Sequence, residues 1–276
     1  MALRRARTVS VIAGAVIVLA LTYIPLLFVL SNSLKSTEQF IMAPFALFQS
    51  FRWQNYAVAW GGVALYLRNT LMVAALSVLI GIPSAAVAAY GFAQWHFKGK
   101  QLLFIAYLGL LMIPWTLTLI PLFVEMKTLG LFNSWWALIF SYASGSQPLL
   151  VFLFRTFFEG VPVELIESGR LDGCSEGGIL IRIVAPLSIP VLFTGMILMF
   201  VSIWGDYIWP LVVLPDYHML TISAGLQLFV SNFGNTGHGL GPEFAAYVIA
   251  MAPIIVVISV AMKYFVNGVT NGALKA

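Results

Sequence analysis

Of the 276 residues, 61% are hydrophobic and only 9% are charged, whereas roughly a quarter are charged in an ordinary soluble domain. That balance excludes a water-soluble globule, and a net charge of +4 with no basic run longer than Arg4 to Arg7 argues against a nucleic-acid surface. The lone Cys174 cannot form an intrachain disulfide, and His96, His218 and His238 are too scattered for a metal cluster.

A bilayer core about 30 Å thick needs about 20 apolar residues per helix. Six runs satisfy this, at 9–30, 71–93, 102–124, 135–154, 188–213 and 245–266. The first follows a basic start but exceeds the apolar core of a signal peptide, so it is expected to be a retained helix. The stretch 31–70 that follows is long and aromatic (Phe40, Phe45, Trp53 and Tyr56 among others) and is expected to lie at the membrane interface as an aromatic belt, a short helix or a plug. Asn69, at the start of the second run, is a polar candidate for the substrate path.

The fourth run is unusual in carrying Ser141, Tyr142, Ser144, Gly145, Ser146, Gln147 and Pro148. Polar and helix-breaking residues at membrane depth are tolerated where they face protein or a water-filled path. Ser144 and Gln147 therefore join the candidate path, with a tight helix crossing through small residues as the alternative. The fifth run holds one acid, Asp206, between Trp204 and Trp209. A carboxylate at the bilayer centre costs roughly 2.5 to 3.5 kcal/mol on insertion scales, so Asp206 either contacts substrate or reaches the outer interface, and the two Trp rings are candidates to stack on a ligand. The stretch 214–244 is rich in Gly and Asn and reads as turns.

Six spans put both termini on one side. Ten of the 14 Lys and Arg fall on the side of the termini, leaving Lys35, Arg52, Arg68 and Lys127 opposite. The positive-inside rule then places both ends in the cytoplasm. Nothing separates soluble domains, and residues 1–276 read as a single all-α integral membrane domain.

Between the fourth and fifth runs, a cytoplasmic segment of about 156–187 contains Glu159, Glu164, Glu167, Asp172 and Glu176, half of the ten acids. A plain connector would be much shorter. Pro162 suits a first helical turn, Gly173 a left-handed stop, Ser175 a cap for a second helix, and Pro186 its boundary. Apolar residues on both arms, including Ile166 and Ile183, imply that this hairpin packs against something.

Glu167, Ser168 and Gly169, followed by Gly173, Ile183, Ala185 and Pro186, resemble the loop of bacterial ABC importer permeases, Glu-Ala-Ala, three residues, Gly, nine residues, Ile, one residue, Leu-Pro. Ser168, Gly169 and Ala185 replace Ala, Ala and Leu. Asp172 before Gly173 is similar to the sugar-importer branch. Tyr90 to Ala93, Phe97 to Lys100, Ile113 and Pro114, Ile120 to Phe123, Leu129 to Asn133, Trp204 to Pro210 and the tail from Val269 to Lys275 resemble, in that order, the second permease subunit of maltose-type importers. Gly205 stands where that family has Asn.

The resemblance implies a type I ABC importer transmembrane domain with six helices and a cytoplasmic coupling-helix hairpin. It implies that Glu164, Glu167, Ser168, Gly169, Arg170, Asp172, Gly173, Ile183 and Pro186 engage an ATPase subunit. It also implies a homologous second permease subunit, two ATPase subunits that bind ATP and Mg, an extracytoplasmic binding protein, and a sugar or sugar derivative as cargo. The chain lacks a G-x-x-x-x-G-K-[ST] phosphate loop. No cofactor is expected on the chain itself. An ATP-independent secondary transporter or channel is the competing class, against which stands the lack of a chain of intramembrane acids or histidines; a membrane-embedded enzyme is a further one.

Overall fold

A computed structural model describes the backbone of residues 2–236 and 239–273, and the side chains of 11–231 and 239–260. Expectations resting on the side chains of Arg4, Arg5, Arg7 and Lys263, and on Gly237, His238 and Lys275, lie outside those residues. Among the described residues every regular element is helical.

Helix α1 (Ala2–Asn32) leads to a short α2 (Thr37–Met42) and then to α3 (Gln54–Gln94). Helices α4 (Lys100–Gly109), α5 (Trp115–Thr128), α6 (Trp135–Gly145) and α7 (Gln147–Phe158) follow. Next come α8 (Val163–Leu171), α9 (Glu176–Ile179) and α10 (Ala185–Leu187), the last two joined by a π-helical turn at Leu180–Val184. The chain closes with α11 (Ile189–Gly205), α12 (Ile208–Val213), α13 (Ile222–Thr236) and α14 (Leu240–Ala273).

Three helices are long and apolar enough to cross a bilayer, within Val11–Asn32, Gln54–Gln94 and Leu240–Val260. Three further crossings arise if each bent pair counts as one, giving up to six. The bends fall where backbone chemistry forces them. Lys100–Met112 meets Trp115–Thr128 at 97° because Pro114 drives Ile113 out of the helical region, to φ −79° and ψ 115°. The expected kink in the fourth run is a 42° bend between α6 and α7, where Pro148 sits in the first turn of α7. The segment Glu176–Leu187 turns by 85° into α11, with Ser188 between them at φ −102° and ψ 11°.

Four sequence expectations are corrected. The stretch 31–70 is not a loop throughout, because α3 already begins at Gln54. Arg68, Asn69 and Thr70 lower the local hydropathy but leave the helix intact, since Ala59, Val63 and Tyr66 recur at helical spacing on its buried side. The run 188–213 is not one rod: α11 ends at Gly205, Asp206 is extended, and α12 restarts at Ile208. The turn-rich 214–244 is largely α13, in which Ile222, Leu226 and Phe229 form a buried stripe. Pro162 precedes the first turn of α8 as its N-cap instead of lying in it.

Contacts divide the chain into two compact units, Met1–Leu65 with Gly225–Pro253, and Tyr66–Ala224 with Ile254–Ala276. In the first unit, Phe28, Phe40, Phe45 and Phe244 form one aromatic cluster with ring centroids 5.2 to 6.4 Å apart. A capping box between Ser36 and Gln39 starts α2. Lys35 is fully buried, and its Nζ donates to the carbonyls of Ala43 (2.9 Å) and Pro44 (3.2 Å). In the second unit the core runs through Leu138, Leu150, Phe154 and Phe158, with Ile166, Ile179 and Val184 beneath the hairpin. By contrast, the most apolar stretch of α1 buries none of its residues within the chain. In a bilayer such exposure is matched to hydrocarbon instead of water.

Candidate functional site

Two places in the second unit combine polar chemistry with exposure: the hairpin of α8 to α10, and a cavity beside α6 and α11.

The hairpin is fixed by its turn. Gly173 adopts φ +81°, the left-handed geometry that glycine reaches without a Cβ penalty. The Cys174 N–H donates to Gly169 O at 3.0 Å and the Gly173 N–H to Arg170 O at 3.1 Å, the paired bonds of a Schellman stop. Ser175 then caps α9, its Oγ accepting the Gly178 N–H. The arms meet closely at Gly169, where an added Cβ would stand 2.8 Å from Ile183 Cδ1. Ile166 and Ile179 are fully buried, which closes the hairpin into one body.

Of the residues singled out on this segment, Glu164, Glu167, Ser168, Arg170, Asp172, Gly173 and Pro186 are exposed, Ile183 is half-buried and Gly169 is buried. Leu171, one of the apolar residues the sequence places on the outer arm, is 89% exposed at the tip of α8. Arg170 donates Nε to Glu176 Oε1 at 2.8 Å, and the same carboxylate accepts the Tyr90 hydroxyl at 2.6 Å. The exposed Glu164, Glu167 and Asp172 leave three carboxylates on one short arm.

The cavity has a volume of about 600 Å³ and is walled in part by Trp115, Ser141, Tyr142, Ser146, Asp206 and Trp209. The break at Asp206 shapes it. Asp206 Oδ1 accepts the N–H groups of Ile208 (3.1 Å) and Trp209 (3.3 Å), so its carboxylate caps α12. Its Oδ2 accepts the Tyr142 hydroxyl at 2.9 Å. Trp209 is 3% exposed, and its Nε1–H is buried with no partner, an arrangement that calls for explanation in a native fold. The exposed face of Trp115 beside hydroxyls and a carboxylate suits a polyhydroxylated ligand.

The other path candidates lie elsewhere. Asn69 is buried and donates to the carbonyls of His218 (2.8 Å) and Leu220 (3.1 Å), holding the segment before α13. Gln147 donates to Gly81 O, Ala143 O and Ser84 Oγ, and Ser144 to Ser141 O. Neither Gln147 nor Ser144 lines the cavity. Trp204 is 3% exposed and packs against Phe200 with ring centroids 5.1 Å apart, so it offers no open face. Tyr142 was legible only as a polar residue in an apolar run, and nothing in the sequence signalled its pairing with Asp206.

The chain as a whole is similar to known proteins. The chain is 34% identical, over 93% of its own length and 85% of the relative's, to a probable ABC transporter permease protein, YurM, of Bacillus subtilis. It is 31% identical to the arabinooligosaccharides transport system permease protein AraQ of Bacillus subtilis, over 93% of this chain and 92% of that one. In fold it matches a chain of a bacterial ABC transporter involved in import of the acidic polysaccharide alginate, with a TM-score of 0.82 and 20% identity, over 95% of this chain and 98% of the other. The family model described as binding-protein-dependent transport system inner membrane component matches residues 77–271, a stretch that holds both the hairpin and the cavity. This multi-pass membrane chain therefore belongs to the family of inner membrane components of binding-protein-dependent transport systems.

Proposed function

We propose that this chain is one of two permease subunits that together enclose the translocation path of an ATP-driven importer of saccharides. The cargo assignment is supported by the arabinooligosaccharide system named for a relative 31% identical. An extracytoplasmic binding protein delivers the saccharide. Two ATPase subunits bind and hydrolyse ATP with Mg on the cytoplasmic side, where the positive-inside distribution places both termini and the hairpin.

The observation that carries this reading is the hairpin: a rigid, glycine-closed body whose outer arm exposes Glu164, Glu167, Asp172 and an almost bare Leu171. Carboxylates on a short helix accept charge-assisted hydrogen bonds from Arg or Lys of a partner. An exposed Leu at the tip supplies apolar area to the same groove. Ser168 and Gly169 keep the arm slim, Gly173 sets its angle, and Ile183 and Pro186 hold the return arm. Arg170 orients the acids by pairing with Glu176.

The cavity walled by Tyr142, Asp206 and Trp209 serves as this chain's part of the path. Cargo passes when the two permease subunits rock between inward-open and outward-open states. ATP and the loaded binding protein bias that equilibrium only through different affinities for the two states.

The test is reconstitution of the complex in vesicles with the binding protein and a labelled oligosaccharide. Uptake is expected only with ATP. Glu167→Lys is expected to leave the chain inserted while lowering capture of the ATPase subunits about tenfold, equivalent to about 1.4 kcal/mol. Uptake without ATPase subunits, or normal capture by Glu167→Lys, overturns the reading.

A further inference from the structure

The hairpin is tied to a long helix at one carboxylate. Glu176 Oε2 accepts the Tyr90 hydroxyl at 2.6 Å, while Arg170 gives Nε to Oε1 at 2.8 Å and Nη2 to Oε2 at 3.3 Å. Three elements thus meet at Glu176: the last turn of α8, the first turn of α9 and the last turn of α3.

Two features argue against a mere staple. The side chains of Arg170 and Glu176 are 42% and 39% exposed, and ion pairs so open to water contribute little to stability. Tyr90, however, is 3% exposed, so its hydroxyl has little water to turn to if the carboxylate moves away. The position of the tie matters as well. The segment Glu176–Leu187 joins α11 through the 85° bend at Ser188, so a load on the hairpin acts about that bend. Glu176 lies at the far end of that lever, about 18 Å from the bend at 1.5 Å per residue. A bond at the far end converts rotation about Ser188 into a pull on α3.

We propose that Glu176 is a positioning residue that carries displacement of α8 into the end of α3 through Tyr90. The proposal rests on the reading that an ATPase subunit grips α8. Without the tie, the gripped hairpin swings at Ser188 and the motion is lost before it reaches the spans.

The experiment uses the purified complex of both permease subunits and the ATPase subunits, reconstituted with oligosaccharide-loaded binding protein. Tyr90→Phe removes one oxygen and no packing. It is expected to retain the ATPase subunits and the basal rate of ATP hydrolysis, while ATP-driven uptake and the stimulation of hydrolysis by loaded binding protein fall about fivefold. Glu176→Gln is expected to lower uptake as well, and adding Tyr90→Phe to it to lower uptake no further. Normal uptake by Tyr90→Phe overturns the proposal. Loss of the ATPase subunits from Tyr90→Phe also overturns it, because the bond then only maintains the hairpin's shape, and so does a further loss in the double variant. If the wild-type chain captures no ATPase subunit, the docking reading itself fails, a result distinct from all of these.

Discussion

Residues 31–35 close the end of α1 and the arm 163–172 follows α7, and both are rich in polar groups, yet they dispose of those groups in opposite ways. Ser31 to Lys35 are buried to within a few per cent. Lys35 spends its ammonium on two carbonyls, and Asn55 Nδ2 donates to the carbonyls of Ser33 (2.8 Å) and Lys35 (2.9 Å). The arm 163–172 buries only Ile166 and Gly169 and leaves its acids and Leu171 open. A segment whose polar groups are turned inward and bonded within the chain, Asn32 Oδ1 excepted, offers little to a partner. One that leaves carboxylates and an apolar tip exposed keeps them available to another protein.

Substitutions can break this contrast. The largest effect is expected on the closed side. Lys35→Ala strips donors from the carbonyls of Ala43 and Pro44 and removes a buried stem, at a cost of about 3 kcal/mol. Thermal unfolding of the detergent-solubilised chain reads this as a drop in midpoint of several degrees, and an unchanged midpoint refutes the account of Lys35. Gly173→Val comes next, since a β-branched residue at φ +81° costs about 1–2 kcal/mol. Its loss is expected to appear in ATPase capture before it appears in yield of the inserted chain.

Leu171→Ser sharpens the contrast. It is expected to change stability by less than about 0.5 kcal/mol, as surface substitutions do, yet to weaken ATPase capture in a pull-down. A large fall in thermal midpoint would show that this tip packs within its own chain. The smallest effect is a pH slope. Burial pushes the Lys35 ammonium below its ordinary 10.5, so the folded chain holds fewer protons than the unfolded chain between the lowered value and 10.5. Stability contributed at this site therefore rises as pH climbs through that window. Wild type compared with Lys35→Met isolates the slope, and parallel curves remove it.

Much of this architecture was legible from residue order. Apolar length gave away the runs 9–30, 71–93 and 245–266, which overlap the spans Val11–Asn32, Gln54–Gln94 and Leu240–Val260, because transfer into hydrocarbon depends on composition. The hairpin was legible because Gly173 and Ser175 carry their conformations in their own covalent chemistry. The stretches 54–70 and 222–236 were misread as loops, since hydropathy registers the helix's surroundings and not its hydrogen bonds. Among the site residues, the exposure of Glu164, Glu167 and Asp172 followed from charge. The engagement of Asn69 and Gln147 did not, because each is held by a partner distant in sequence.

Sequence by itself determined that the chain lives in a membrane, that its fourth apolar run is interrupted near Pro148, and which turn closes the acidic hairpin, for these depend on side-chain transfer energies and on the φ restrictions of Pro and Gly. Only the tertiary structure decided that Tyr142 meets Asp206 across 64 residues and that Tyr90 meets Glu176 across 86. A hydrogen bond is specified by distance and angle, and those come into being only when separate helices pack.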